Sequence, residues 1–205
     1  MSFMTEPQAP EGKRAAQGRA TRGQLIEVAT RLFAEQGYEG TSIEAVLAAA
    51  GVSRGALYHH FPGKEALFEA VVVAVSDQVT VDLAAAVGGQ TDPVDAMRTA
   101  ALAWIGLAAD PVIQRVVLVD APSVLGWERW RDMDGGRTLG TLRAMLQAVS
   151  DSGRLPSELV SPFSHMILAA LDEIVLVVAR ADDPAAAVPE GRMAVEALLD
   201  RLLRP

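Results

Sequence analysis

Residues 41–61 read TSIEAVLAAAGVSRGALYHHF, and this stretch decides the fold class. Thr41 and Glu44 have the spacing of a capping box, so a short helix is predicted to begin there. Gly51 can adopt a left-handed turn, and a second short helix is predicted over residues 54–60. Two short helices joined by a tight glycine turn are typical of a helix-turn-helix.

A third helix is predicted upstream, where Thr21 and Gln24 form another capping box. Apolar residues then recur at helical spacing until Gly37 stops the helix: Leu25, Ile26, Ala29, Leu32 and Phe33. Residues 1–20 show no hydrophobic periodicity, so they are predicted to form a flexible tail. A tri-helical DNA-binding domain is therefore predicted over residues 21–66, with its last helix entering the major groove.

The last short helix carries side chains suited to DNA. Leu57 and Phe61 are spaced to anchor it to a core, which leaves Arg54, Tyr58 and His59 facing outward. Arginine reads guanine through two hydrogen bonds in the major groove. An exposed aromatic residue beside arginine and histidine indicates a DNA-reading surface.

This segment resembles the DNA-binding signature of the TetR family of transcriptional regulators, and the resemblance covers roughly residues 21–68. It implies a homodimeric repressor that binds a palindromic operator in double-stranded DNA. It also implies that a small molecule in the C-terminal domain releases the operator. At the matching positions it implies phosphate contacts from Thr41 or Ser42, Tyr58, His60 and Lys64, and base contacts from Arg54, Gly55 and His59.

Glu44 departs from the family pattern, because this position is basic and reads bases in some members. Two interpretations stay open: the first short helix reads less of the DNA, or Glu44 accepts a hydrogen bond from cytosine. A second, smaller likeness to part of the family lies at residues 120–127, DAPSVLGW.

The charge distribution supports this interpretation. The net charge of -8 opposes binding to phosphates, but residues 13–64 carry +3 and residues 65–205 carry -9. A mildly basic domain joined to an acidic body is what a DNA-reading module would require.

Residues 67–205 are predicted to form an all-α ligand-binding and dimerisation domain, which gives about nine helices in total. Several segments are rich in valine, but turn signals lie too far apart for hairpins, so helices are predicted. A long fourth helix is predicted to begin at Lys64, and further helices are placed near residues 92–108, 111–120, 127–150, 157–181 and 189–203.

The predicted helix 157–181 is apolar nearly all round and needs burial on two sides. One side is predicted to face a partner subunit together with the last helix, in a four-helix interface. The alternative is an internal helix of a monomer. The predicted interface residues are Phe163, Ile167, Ile174, Val178, Val195, Leu198, Leu199 and Leu202.

Five large or polar residues are candidate ligand contacts in this domain: Trp104, Trp127, Trp130, His165 and Asp172. Tryptophans at helical spacing are more often core residues, and a single buried histidine usually satisfies one nearby partner. His165 and Asp172 lie two turns apart on one face, so direct contact between them is not expected.

The chain contains no cysteine, which excludes disulfides and thiolate metal sites. It contains three histidines, and two of them are adjacent on the predicted DNA-reading helix, so the three cannot form a catalytic zinc site by themselves. No phosphate-binding glycine loop or nucleophile elbow is present, so no catalysis, metal or cofactor is predicted. Without a signal peptide or an apolar run near 18 residues, a cytoplasmic protein with no membrane partner is expected. The alternative function is a helical ligand-carrier or interaction protein that no longer reads DNA.

Overall fold

A computed structural model describes residues 11–203 of the chain. All regular secondary structure in this range is helical, which confirms the all-α fold class. The elements are α1 (Glu11–Gly40), α2 (Ile43–Ala50), α3 (Arg54–His60), α4 (Lys64–Val87), α5 (Pro93–Leu107), a π-helical segment (Ile113–Asp120), α6 (Ala121–Leu125), α7 (Trp127–Asp151), a 3₁₀ turn (Ser157–Leu159), α8 (Val160–Ala179) and α9 (Pro184–Leu202).

The chain divides into two compact units, Met1–Val71 and Val72–Pro205. The core of the first unit is formed by α1, α2, α3 and the beginning of α4. Its aromatic centre is the Phe33 ring, which meets the Phe68 ring edge-on at 5.0 Å between centroids. Tyr38 packs against Phe68 at the same distance. The core is completed by buried residues that include Leu25, Ala29, Val46, Leu57, Phe61 and Leu67.

Helix α1 begins ten residues before the predicted start at Thr21, so the prediction of a tail is wrong for residues 11–20. The Thr21 hydroxyl donates to the Gln17 carbonyl one turn earlier, and Gln24 Nε2 donates to the Ala50 carbonyl of α2. Neither residue caps a helix end. Residues 11–20 lack an apolar stripe but contain good helix formers, and extending an anchored helix avoids the nucleation cost. Residues 1–10 of the predicted tail lie outside the described residues.

The second unit is a bundle in which α8 packs against α5, α7 and α9. The valine-rich segments are helical, as predicted, and lie in α4, the π-helical segment and α8. Ion pairs join distant parts of the bundle: Arg98 Nη2 lies 2.6 Å from Asp200 Oδ1, and Arg154 Nη2 lies 2.8 Å from Asp92 Oδ2. Gln114 Nε2 donates to the Ala179 carbonyl at 2.6 Å.

Two helical stretches are long and apolar enough to cross a membrane by length and composition alone, Lys64–Val87 and Ser157–Ala179. The expectation that no apolar stretch approaches this length was therefore wrong, because an 18-residue stretch can include one or two charged residues and still be apolar enough to cross a membrane. The core helix of a soluble protein passes the same test, and α8 has nine buried residues. The finding is weak support for a membrane segment.

Candidate nucleic-acid interface

The α2–turn–α3 unit is built by local hydrogen bonds. Ser42 caps α2 by accepting from the Ala45 N–H at 3.1 Å, and Ser53 caps α3 by accepting from the Ala56 N–H at 3.2 Å. Between the helices, Gly51 adopts the left-handed conformation with φ 64°. These contacts set the direction of α3 relative to α2.

Helix α3 turns one face to the core and the other to solvent. Leu57 is fully buried, whereas Arg54, Gly55 and His59 are exposed and Tyr58 is 45% exposed. A large aromatic side chain left in water on a short helix is a feature of interaction surfaces. The helix therefore presents a guanidinium, a phenol and an imidazole on one accessible surface.

Glu44 of α2 and Arg54 of α3 form an ion pair on this surface, with 2.6 Å between Glu44 Oε1 and Arg54 Nη2. Both side chains are exposed, at 65% and 59% respectively. The Glu44 pKa is lowered, first by a hydrogen bond from its own backbone N–H and then by the bond from Arg54. Sequence analysis named the two residues separately and did not predict that they would meet.

Basic residues lie near the C-terminal end of α3. Lys64 is half-buried, with Nζ lying 4.1 Å from the centroid of the Tyr38 ring. His60 is half-buried beside His59, with 5.1 Å between ring centroids. The Arg22 guanidinium of α1 lies 5.3 Å from the Phe61 ring centroid. Arg22 was missed as a candidate contact, although it belongs to the basic excess counted over residues 13–64.

Thr41 is 1% exposed, and its hydroxyl is directed to the Leu32 carbonyl at 3.1 Å and the Gly37 carbonyl at 2.9 Å. The predictions that Thr41 caps α2 and contacts phosphate are therefore wrong. Its hydroxyl joins the end of α1 to the start of α2. The exposed neighbour Ser42 is the helix cap.

Among the predicted ligand contacts, the structure brings three together near the start of α7 and on α8. The rings of Trp127 and Trp130 lie 4.9 Å apart, and Arg131 Cζ is 5.6 Å from the Trp127 ring centroid. Arg131 Nη2 also lies 3.8 Å from Asp172 Oδ2. Arg131, which sequence analysis did not select, connects this cluster.

The remaining two candidates are placed differently. Trp104 is half-buried on α5, and His165 is exposed on α8. Both lie outside the cluster around Arg131, and a ligand contact from His165 stays a prediction. Trp130 is 6% exposed, and its indole N–H finds no acceptor among the described residues.

Four of the predicted dimer contacts are already buried inside one protomer: Ile167, Val178, Val195 and Leu199. The prediction that they contact a partner subunit is therefore wrong for Ile167, Val178 and Leu199, because α5, α8 and α9 pack against one another within the protomer. Val195 is buried too, but it lines the groove between α8 and α9. Phe163, Ile174, Leu198 and Leu202 are half-buried. The exposed apolar residues of α8 and α9 are instead Met166 at 57%, Val177 at 56% and Met193 at 63%.

A groove of about 230 Å³ runs between α8 and α9 in this unit. Its lining is apolar except for one carboxylate, and consists of Ala170, Glu173, Ile174, Ala194, Val195 and Leu198. The exposed residues Met166 and Val177 belong to the same helix as the lining residues of α8. The α8–α9 surface thus offers an apolar area to a second macromolecule.

Two family models match the chain. The model described as bacterial regulatory proteins, tetR family, matches residues 25–71, and the tetracyclin repressor-like C-terminal domain matches residues 94–202. The first match contains α2, α3 and the exposed residues described above. The second covers most of the other compact unit.

Similar proteins are transcriptional regulators. The HTH-type transcriptional repressor Rv1474c of Mycobacterium tuberculosis is 28% identical over 170 residues, covering 80% of this chain and 86% of the relative. The repressor AcnR of Corynebacterium efficiens is 49% identical over 51 residues, 25% of this chain and 27% of its own. A solved TetR-family regulator from Pectobacterium atrosepticum has a TM-score of 0.81 and 30% identity, covering 92% and 96% of the two chains.

Proposed function

Because the chain belongs to the TetR family of bacterial transcriptional regulators, we propose that it acts as a homodimeric repressor released from a palindromic operator by a small molecule. The DNA-binding class follows from the family and its helix-turn-helix. The dimer, the operator symmetry and the effector are the proposed parts.

The observation that carries DNA binding is the exposure of α3. Leu57 and Phe61 anchor the helix, so Arg54, Tyr58 and His59 face the surrounding solvent without disturbing the core. We assign base contacts to Arg54, Gly55 and His59, and phosphate contacts to Ser42, Tyr58, His60 and Lys64. Arg22, beside Phe61, is added to the phosphate contacts.

The dimer is supported by the exposed apolar surface of α8 and α9. Met166, Val177 and Met193 are each more than half exposed, which is unfavourable for apolar side chains unless a partner covers them. A second copy of the chain is the partner that fits, because a two-fold operator requires a two-fold protein. Phe163, Ile174, Leu198 and Leu202 would extend this contact from their half-buried positions.

The effector site is assigned to the cluster around Trp127, Trp130, Arg131 and Asp172. The two indole rings, tilted by 41° with 4.9 Å between their centroids, offer an apolar aromatic surface, and the Trp130 N–H can donate to an acceptor that the described residues do not supply. Trp104, half-buried on α5, stays assigned as a further ligand contact. An effector with an aromatic or conjugated body and one hydrogen-bond acceptor fits these residues.

Electrophoretic mobility shift with the promoter region beside its own gene tests the proposal. Saturable binding that weakens steeply with salt is expected, because neutralised phosphates release counterions. Flat binding that ignores sequence would contradict a regulator. Sedimentation, combined with selection of bound fragments from genomic DNA, distinguishes the repressor from the alternative function. A dimer that binds no operator among these fragments would be a ligand-carrier or interaction protein.

The family relationship also supports a cytoplasmic location and a regulatory rather than catalytic role. Among residues 11–203, no group of three histidine, aspartate or glutamate side chains is arranged to hold a metal ion.

A further inference from the structure

The ion pair between Glu44 and Arg54 lies on the surface assigned to DNA. It connects the first turn of α2 to the first residue of α3, with 2.6 Å between the carboxylate oxygen and the guanidinium nitrogen. Exposed ion pairs contribute little to stability, so replacing either residue should leave the fold intact. The pair places an acceptor directly beside a set of donors where α3 would enter a major groove.

A guanine–cytosine base pair presents the complementary pattern along its major-groove edge. Guanine offers two acceptors, N7 and O6, and cytosine offers a donor, the 4-amino group, next to O6. An arginine supplies two parallel N–H donors, and a carboxylate supplies the acceptor. The Arg54 guanidinium has five N–H groups, so donors remain after the bond to Glu44.

We propose that Glu44 and Arg54 read a single guanine–cytosine base pair as a unit, with Arg54 donating to guanine and Glu44 accepting from the cytosine amino group. This inference rests on the proposed operator binding. The ion pair keeps the carboxylate and the guanidinium side by side, as the acceptors and the donor of the base-pair edge are. Glu44 is thereby a specificity-determining residue of α2.

The pair also rejects the other base pairs. In an adenine–thymine pair, the adenine amino group would face the Arg54 donors and the thymine O4 acceptor would face the Glu44 carboxylate. Both contacts would then bring like groups together. An arginine without the carboxylate would lack the second penalty, the repulsion between thymine O4 and Glu44. A carboxylate close to DNA is repelled by phosphates, and the bond to the cytosine amino group offsets that cost.

Selection of bound sequences from a random DNA library tests the inference with the full-length protein, Arg54→Ala, Glu44→Ala and the charge-matched control Glu27→Ala. Glu27 is exposed on α1, and both members of the pair are exposed, so all variants are expected to keep the helical circular dichroism spectrum. The unmodified protein should select one guanine–cytosine pair in each half-site. Arg54→Ala and Glu44→Ala should both relax that same base pair, by roughly 5- to 100-fold, whereas Glu27→Ala should not.

Base analogues at the selected pair separate the two contacts. Replacing guanine with 7-deazaguanine, which lacks N7, should weaken binding of both the unmodified protein and Glu44→Ala. Replacing cytosine with an analogue that lacks the 4-amino group should weaken only proteins that retain Glu44, by about tenfold.

Three results would overturn the inference. Glu44→Ala could leave every base preference unchanged, it could relax a different position from Arg54→Ala, or it could remain sensitive to loss of the cytosine amino group. Each of these leaves operator binding itself intact. If the unmodified protein enriched no sequence at all, the proposed function would fail together with the inference.

Discussion

The Lys64 ammonium lies 4.1 Å from the centroid of the Tyr38 ring, which joins the first residue of α4 to the end of α1. Burial, with the Glu65 and Glu39 carboxylates, raises the pKa of the Tyr38 phenol, so the ring stays neutral under the cation. The ring holds the ammonium at a defined position near α3. A cation held in this way can meet a phosphate with less loss of side-chain freedom.

Lys64→Ala is expected to weaken binding to all DNA sequences about equally. The slope of log affinity against log salt should fall by about two for the dimer, because each of its two subunits neutralises one fewer phosphate. Arg180→Ala, which removes an exposed cation from the second unit, is the control and should leave the slope unchanged. A change of preference at one base pair would show that Lys64 reads bases.

Gly55 is expected to be required by the DNA and not by the fold. A Cβ built on Gly55 meets no atom within 4 Å, so Gly55→Ala and Gly55→Leu should fold. Both should bind the operator more weakly, the leucine variant by more, because the added atoms prevent close approach to the duplex. Gly23→Ala, equally unobstructed on α1, is the control in the binding assay. Unchanged affinity of Gly55→Leu would remove Gly55 from the interface.

Gly191 is expected to be required by the fold. A Cβ there would lie 3.0 Å from Val178 Cγ2 and 3.1 Å from Ile105 Cγ2, so the buried methyl groups of α8 and α5 would have to shift. Gly191→Ala should lower the free energy of unfolding by roughly 1–3 kcal/mol in urea denaturation. Gly140→Ala, on an open face of α7, should be neutral or stabilising by up to about 1 kcal/mol. Equal stability of the two variants would mean that α9 moves to accommodate the added methyl group without cost.

The combination Met166→Glu and Val177→Glu should convert the dimer to a monomer in sedimentation velocity, because four carboxylates would meet across the two-fold axis. Operator affinity should fall with it, since each half-site alone is bound weakly. Val81→Glu, which changes an equally exposed valine on α4, is the control and should leave the dimer intact. A double variant that remained dimeric would place the interface elsewhere.

Asp92 is expected to make the second unit sensitive to acid. Its Oδ1 caps α5 by accepting from the Val94 N–H, and Arg154 donates to both carboxylate oxygens. Arg154 first, and then the Asp95 N–H, lower the Asp92 pKa in the folded protein. This stabilisation is therefore present above the unfolded pKa of about 3.9 and is lost as the pH falls through the lower folded value.

Urea denaturation between pH 7 and pH 3 checks this. The difference in stability between the unmodified protein and Asp92→Asn should be constant at neutral pH and shrink below about pH 4. Arg154→Gln should remove most of the same pH dependence, because it takes away the first cause of the shift. A difference that stayed constant to pH 3 would contradict the assigned role of the pair.

The helix-turn-helix could be predicted because its signals are local. Gly51, the capping residues and the apolar spacing of residues 43–61 all act within one or two helical turns, so the local sequence is enough to predict them. The local sequence does not decide whether Thr41 or Ser42 caps α2. Both side chains suit the position, and Thr41 is turned inward by the Leu32 carbonyl, nine residues away.

The sequence by itself determined that the chain is helical, where α2 and α3 lie, and that Leu57 and Phe61 face inward. Only the tertiary structure decided which half of α8 is buried. A helix that is apolar all round has no single apolar stripe, so its sequence does not show which side faces the core. Only the tertiary structure brought Glu44 to Arg54. Their contact depends on the angle between two helices, which rests on the packing of α2 and α3 against α1 as well as on the turn at Gly51, and α1 lies earlier in the chain.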